Sequence, residues 1–198
     1  MSPVRWLRAV AVICATALLM ASSCSWQTGI PIPEGVPPPP GDPVPEIDTH
    51  AAGRGADQLH QWAAERAPAL GIPVTALEAY AYAARVAQVE NPKCKLAWTT
   101  LAGIGMVESH HGTYRGATVA PNGDVRPPIR GVRLDGTMGN MEIADTDGGK
   151  LDGDPHLDRA MGPMQFIPST WAAWGADANG DGKADPNNIF DATYSAGR

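Results

Sequence analysis

From about Gly116 to Arg159 the chain runs through glycine, aspartate and proline without sustaining the hydrophobic period of a strand or of a helix. The core must therefore be built by the segments on either side, and those read as helices. Ala56 to Ala67 has helical character and is broken by Gly71-Ile72-Pro73. Thr75-Ala76-Leu77-Glu78 has the spacing of a capping box, so a helix is predicted from about Ala76 to Glu90. Leu77, Tyr80, Ala84 and Ala87 lie on one side of it, and Asn91-Pro92 ends it. A further helix runs from about Lys95 to Ser109, and Gly112 lets the chain leave. Downstream, Ser169 to Trp174 reads as a short capped helix stopped by Gly175, and a last helix begins near Ala192. The expected fold is mainly α with a long irregular insertion. A strand piece is expected at Gly131 to Leu134, and a loop of that length inside a domain is usually functional or mobile.

The helix ending at Ser109 carries the most informative side chain. Trp98, Leu101, Gly105 and Glu108 recur at helical spacing, with Ile104 beside them, which places the carboxyl of Glu108 with the core residues. Desolvation favours the neutral acid, and so does the negative end of the helix dipole. A proton-donating glutamate is what cleavage of a glycosidic bond requires. Read by itself, Glu108 would more often turn to water at the helix end or pair with Arg115 or a histidine.

The first residues point to export. Arg5 and Arg8 precede an unbroken apolar and small-residue run from Ala9 to Ala21, short for a membrane span and right for a secretory signal. Met20-Ala21-Ser22-Ser23-Cys24 resembles a bacterial lipobox, with Ala21 where leucine is preferred. Cys24 then receives diacylglycerol, whose two chains make a stable membrane anchor; a conventional cut nearby would leave Cys24 an ordinary thiol. Prolines crowd residues 29–45 and favour an extended spacer. The expected organisation is a signal over 1–24, a proline-rich linker over 25–48 and a domain over 49–198. Losing Arg5 and Arg8 takes the net charge from −6 to −8, which excludes a nucleic-acid binder. Cys94 is the single cysteine of the domain, so it is either buried and inert or without its partner in this chain.

Asp177, Asn179 and Asp181, with Gly182 and Lys183 following, reproduce the front of an EF-hand calcium loop, in which oxygen ligands alternate around the ion. Asn188 stands where the closing glutamate belongs. Asp145, Asp147, Asp152 and Asp154 read as turn chemistry rather than a second metal site. His110 and His111 lack the spacing of zinc ligands.

With VESHHG, then DTDGGKLDGDPHLDRAMGPMQFIPSTW, then the acidic loop, the chain from about Leu70 to Ala196 resembles lytic murein transglycosylases of the membrane-bound B type, in their actinobacterial branch. The resemblance implies a lysozyme-like domain cutting the MurNAc-GlcNAc β-1,4 bond of peptidoglycan to leave 1,6-anhydroMurNAc ends. It makes Glu108 the single catalytic acid and base. It lines the saccharide cleft with Ser109, Met164, Gln165, Phe166 and Ser169, and leaves Trp171 and Trp174 to the core. By the same resemblance Asp191 closes a longer calcium loop with Asp177, Asn179, Asp181 and the carbonyl of Lys183. No cofactor is implied for the chemistry, and calcium is structural. Expected partners are glycan strands, the membrane through the lipid anchor, and unnamed cell-wall synthesis or division proteins. The place of action is the outer face of the cytoplasmic membrane. Family members continue beyond the acidic loop, so the domain is expected to be incomplete at its C-terminus. The rivals are a module that holds peptidoglycan without cutting it and a muramidase that uses water.

Overall fold

Alanine lets one helix sit in the middle of the molecule. The computed structural model describes residues 40–198; the expected signal, Cys24 and the expected spacer up to residue 39 lie outside them. After a 3₁₀ turn at Gly55–Leu59 come α1 (His60–Leu70) and α2 (Val74–Glu90). Ala76, Ala79, Ala81, Ala83 and Ala84 of α2 are buried with Leu77, Tyr80 and Val86. Small side chains around most of the circumference allow close neighbours on several sides, and α1, α3 (Trp98–Ser109) and α5 (Ile189–Gly197) all pack against α2. α3 comes close to α2 at Gly105, where a Cβ would stand 2.0 Å from the Tyr80 hydroxyl. Glycine is what allows α3 to lie so near α2.

The capping box does not form. α2 begins at Val74 behind Pro73, with no side-chain cap, and Glu78 is buried and bonded to His60 Nδ1 of α1 at 2.5 Å. Proline pre-sets the helical φ and has no donor to satisfy, so the Thr75 hydroxyl is not needed. α1 ends at Gly71 with φ 66°, where the expected break lies.

The aperiodic region folds into two small antiparallel ladders. β1 (Thr118–Val119) pairs with β2 (Val125–Arg126), and β3 (Arg130–Arg133) pairs with β4 (Arg159–Met161). Isolated backbone bridges, Asp135 to Glu142 and Ala144 to Leu157, and carboxylates that accept backbone N–H groups hold the rest. Asp145 takes those of Gly148 and Gly149, and Asp147 takes that of Leu151. Asp152 takes Arg159 N at 2.6 Å, and buried Asp158 takes both N and Oγ1 of Thr146. This is turn chemistry, which has no period for a sequence pattern to reveal.

α4 (Pro168–Trp174) starts one residue before Ser169, with proline in its first turn in place of a side-chain cap. Trp171 is buried against Phe166, whereas Trp174 is 50 % exposed and is not a core residue. α5 starts at Ile189, ahead of the expected Ala192, because the side chain of Asn188 accepts Phe190 N at 3.0 Å. Asn188 also donates to the carbonyl of Asn122, tying the first ladder to α5. Cys94 is exposed, which removes the buried, inert alternative.

Residues 40–48, expected at the end of the spacer, are bound to the body. The indoles of Trp98 and Trp62 donate to the carbonyls of Asp42 and Pro43 at 3.0 and 3.1 Å, and Val44 and Ile47 pack on the core. The proline pattern gives no warning of this, because the bonds use backbone carbonyls that prolines leave free.

Candidate active site

The stripe on α3 turns slightly from where the sequence places it. Trp98, Leu101, Ala102, Gly105 and Ser109 are buried, while Glu108 is exposed. At 3.6 residues per turn Ser109 returns to within about 20° of Trp98, and Glu108 stands about 80° to one side. Glu108 is therefore a rim residue, and the expected desolvation by the core is absent. Beside it opens a cleft of about 650 Å³, walled by the end of α3, by β3 and β4, and by the turn that carries Gln165.

Ser109 does not reach the cleft. Its hydroxyl donates to the carbonyl of Pro163 at 2.7 Å and accepts the N–H of Gly112 at 2.8 Å. It joins the end of α3 to the Gly162-Pro163-Met164-Gln165 turn, some fifty residues away in sequence. Met164 is buried beneath that turn, so it supports the cleft without facing it. Gln165 does face it, with φ 50° and its amide donating to Gly162 O at 2.8 Å. Phe166 is half-buried against Trp171, and Ser169 is exposed on α4; neither lines this cleft.

Several cleft residues escape sequence reasoning. α3 is followed by two left-handed residues, His110 and His111, whose N–H groups bond the carbonyls of Met106 and Gly105. The reversal sends the rings apart. His111 is buried with Nδ1 3.1 Å from the Tyr80 hydroxyl, and burial lowers its pKa. His110 faces the cleft with Tyr114, their rings nearly parallel at 7°. Arg115, Arg130 and Arg159 complete the wall. They come from the aperiodic stretch or its edges, where only the fold brings them together.

The acidic loop is organised around Asp191. Its carboxylate, fully buried, accepts the N–H groups of Ala178, Asn179 and Asp185. Asp177 accepts from Gly180 and Gly182, and Asn179 and Asp181 accept from Asp181 and Lys183. Lys183 turns its ammonium to Asp185 at 2.8 Å. Burial pushes Asp191 up to about 6 against the three N–H bonds that favour its charge, and Asp177 nearby pushes the same way as burial. An all-oxygen donor set containing a buried carboxylate in need of positive charge fits a hard divalent cation. Elsewhere among the described residues, carboxylate oxygens of Asp145, Asp147 and Asp158 come within 4.8 Å of one another, but these groups hold backbone turns.

The raised pKa of Asp191 has a measurable result. A carboxyl with a higher pKa folded than unfolded contributes stability at low pH and loses it as pH rises through the folded value. The gap from 3.8 to about 6 corresponds to about 3 kcal/mol. In chelator, the stability of the parent relative to Asp191→Asn should fall between about pH 4 and pH 6 and then level off. The asparagine adds a constant offset by setting an N–H against that of Asp185. Parallel pH curves for the two proteins would remove the buried charge from the account.

Residues 157–198 match the family model of the transglycosylase SLT domain. The match spans β4, the Gln165 turn, α4, the acidic loop and α5, and Glu108 lies outside it. It supports a lytic transglycosylase family and a lysozyme-like domain, in keeping with the mainly α fold. No curated protein and no solved structure matches the chain.

Proposed function

We propose that the protein is a peptidoglycan lytic transglycosylase in which Glu108 serves as both acid and base. The observation that carries this reading is the inventory of the cleft: Glu108 is the only carboxylate among its described lining residues. Ordinary glycosidases use two carboxyl groups, the second acting as nucleophile or activating water. With one, the sugar can supply its own nucleophile. Glu108 protonates the oxygen between the muramyl C1 and the next sugar, and the C1–O bond breaks. The muramyl O6 hydroxyl then attacks C1, and the carboxylate takes the O6 proton, which regenerates the acid. Each proton given is recovered, no water is consumed, and the product is a 1,6-anhydromuramyl end. The protein core does not dry the carboxyl, so the saccharide must displace water as it fills the cleft. Gln165 offers its amide oxygen to a sugar N–H or hydroxyl across the same cleft.

The matched transglycosylase SLT domain supports the class of reaction and the glycan substrate. The B-type, actinobacterial assignment rests on the order of the sequence motifs. The basic, then apolar, beginning and the lipobox-like Cys24 support a lipid-anchored protein at the outer face of the cytoplasmic membrane. Among the described residues no helix is long and apolar enough to cross a membrane.

Mass spectrometry of sacculi digested with the purified protein tests the reading. Anhydromuramyl ends are expected; reducing ends would indicate a muramidase, and intact sacculi that retain bound protein would indicate a binding module.

We further propose that calcium binds through Asp177, Asn179, Asp181, the carbonyl of Lys183 and Asp191. Binding to the native state alone stabilises it by mass action, about 2.7 kcal/mol at a hundredfold excess over Kd. Millimolar calcium should raise the melting temperature, and Asp181→Ala should cancel the rise. An unchanged melt of the parent would leave the loop as a hydrogen-bonded turn.

A further inference from the structure

The cleft is cationic in an acidic protein. Arg115, Arg130 and Arg159 face a single carboxylate there, although the chain has a net charge of −6. The three guanidinium groups differ in what they are free to do. Arg159 is engaged by Asp154, which also holds Arg133 from outside the cleft. Arg130 is half-buried and donates to Asn187 Oδ1 at 2.6 Å and to the Leu151 carbonyl at 2.8 Å, so its donors are committed. Arg115 makes no ion pair or hydrogen bond through its side chain among the described residues. Its guanidinium lies 5.3 Å from the centroid of the Tyr114 ring, and that ring lies parallel to His110. Its backbone is left-handed, at φ 54°, a conformation that a side chain of this size seldom adopts.

An exposed arginine with a free fork, backed by an aromatic ring, suits a planar anion, because two parallel N–H groups match the two oxygens of a carboxylate. A neutral glycan offers no such group. Peptidoglycan offers it on the peptide attached to its muramyl units. We propose that Arg115 is a specificity-determining residue that pairs with a free carboxylate of the peptide substituent. The cleft would thus favour glycan bearing such peptides over uncharged glycan of the same length. This rests on the transglycosylase reading for its substrate, but the selectivity is a property of binding and is measured without cleavage.

The experiment titrates the full chain, in the Glu108→Gln background, with three saturated-length glycan fragments. One carries peptides with free carboxylates, one carries the same peptides amidated, and one is a chito-oligosaccharide of equal length, which has no lactyl group and no carboxylate. The free-carboxylate fragment should bind about twofold to fivefold more tightly than either of the others, as expected for one charge-assisted pair in an open cleft. The advantage should shrink as salt is raised. Arg115→Gln should bring the three affinities together, Arg115→Lys should restore part of the difference, and Arg126→Gln, which removes an equal charge outside the cleft, should leave it intact. Equal affinities in the Arg115-containing protein, or a preference that survives Arg115→Gln, would overturn the proposal. A preference that the amidated peptide shares would assign recognition to the peptide and not to its carboxylate, which also overturns it. Product analysis of the parent protein decides the transglycosylase reading separately.

Discussion

Glu108→Gln should lower the rate of glycan cleavage by about a thousandfold, the size of effect expected from removing a general acid and base together. The amide keeps the shape of the side chain at the rim of the cleft and cannot give up a proton. Because Glu108 is exposed and no hydrogen bond of its side chain holds the fold together among the described residues, the melting temperature should move little. Release of soluble fragments from purified sacculi measures the first quantity and a thermal melt the second. Equal release by variant and parent would take Glu108 out of the mechanism, and the cleft has no other described carboxylate to replace it.

The second large effect is expected at Gly162. Its φ is 71°, and a Cβ would stand 1.7 Å from the carbonyl oxygen of Pro186, a backbone atom that no side-chain rotation can move away. Gly162→Ala should cost about 4 kcal/mol or more, lowering the melting temperature by about 10 °C in a domain of this size. Gly139 is the comparison, since its φ is 84° but nothing lies within 4 Å of its Cβ position. Gly139→Ala should cost about 1 kcal/mol, from backbone conformation alone. If the two variants melt together, the contact between the Gln165 turn and the acidic loop is looser than the geometry implies.

Helices were legible wherever one face alone is apolar or a breaker is unambiguous, as at Gly71 and Asn91. The starts at Val74 and Ile189 differ from expectation because proline and asparagine replace the expected caps, at Pro73 and Asn188, and α3 begins at Trp98, three residues after the expected Lys95. Glu108 is legible as a residue at the cleft but not in its environment: one position along a helix turns a side chain by about 100°, and Glu108 and Ser109 exchange their expected environments, exposed and buried. Ser109 illustrates why motif membership does not assign a task. Its hydroxyl is consumed by Pro163 and Gly112, and that bond is visible only once residues distant in sequence are neighbours. The arginine wall was hidden for a related reason. Arg115, Arg130 and Arg159 sit in or beside segments whose shape is set by aspartates bonding to backbone, which carries no periodic signal.

The two indole bonds to residues 42 and 43 have a mechanical consequence. They hitch the incoming chain to the body at Trp62 and at Trp98, the first residue of the helix whose other end bears Glu108. Gly41 completes the hitch, since a Cβ there would run into the Trp98 ring at 2.6 Å. A pull on Pro40 is thus delivered to the end of α3 remote from the carboxyl, about 15 Å away at 1.5 Å per residue. The helix acts as a strut: its foot is moored and its tip carries Glu108.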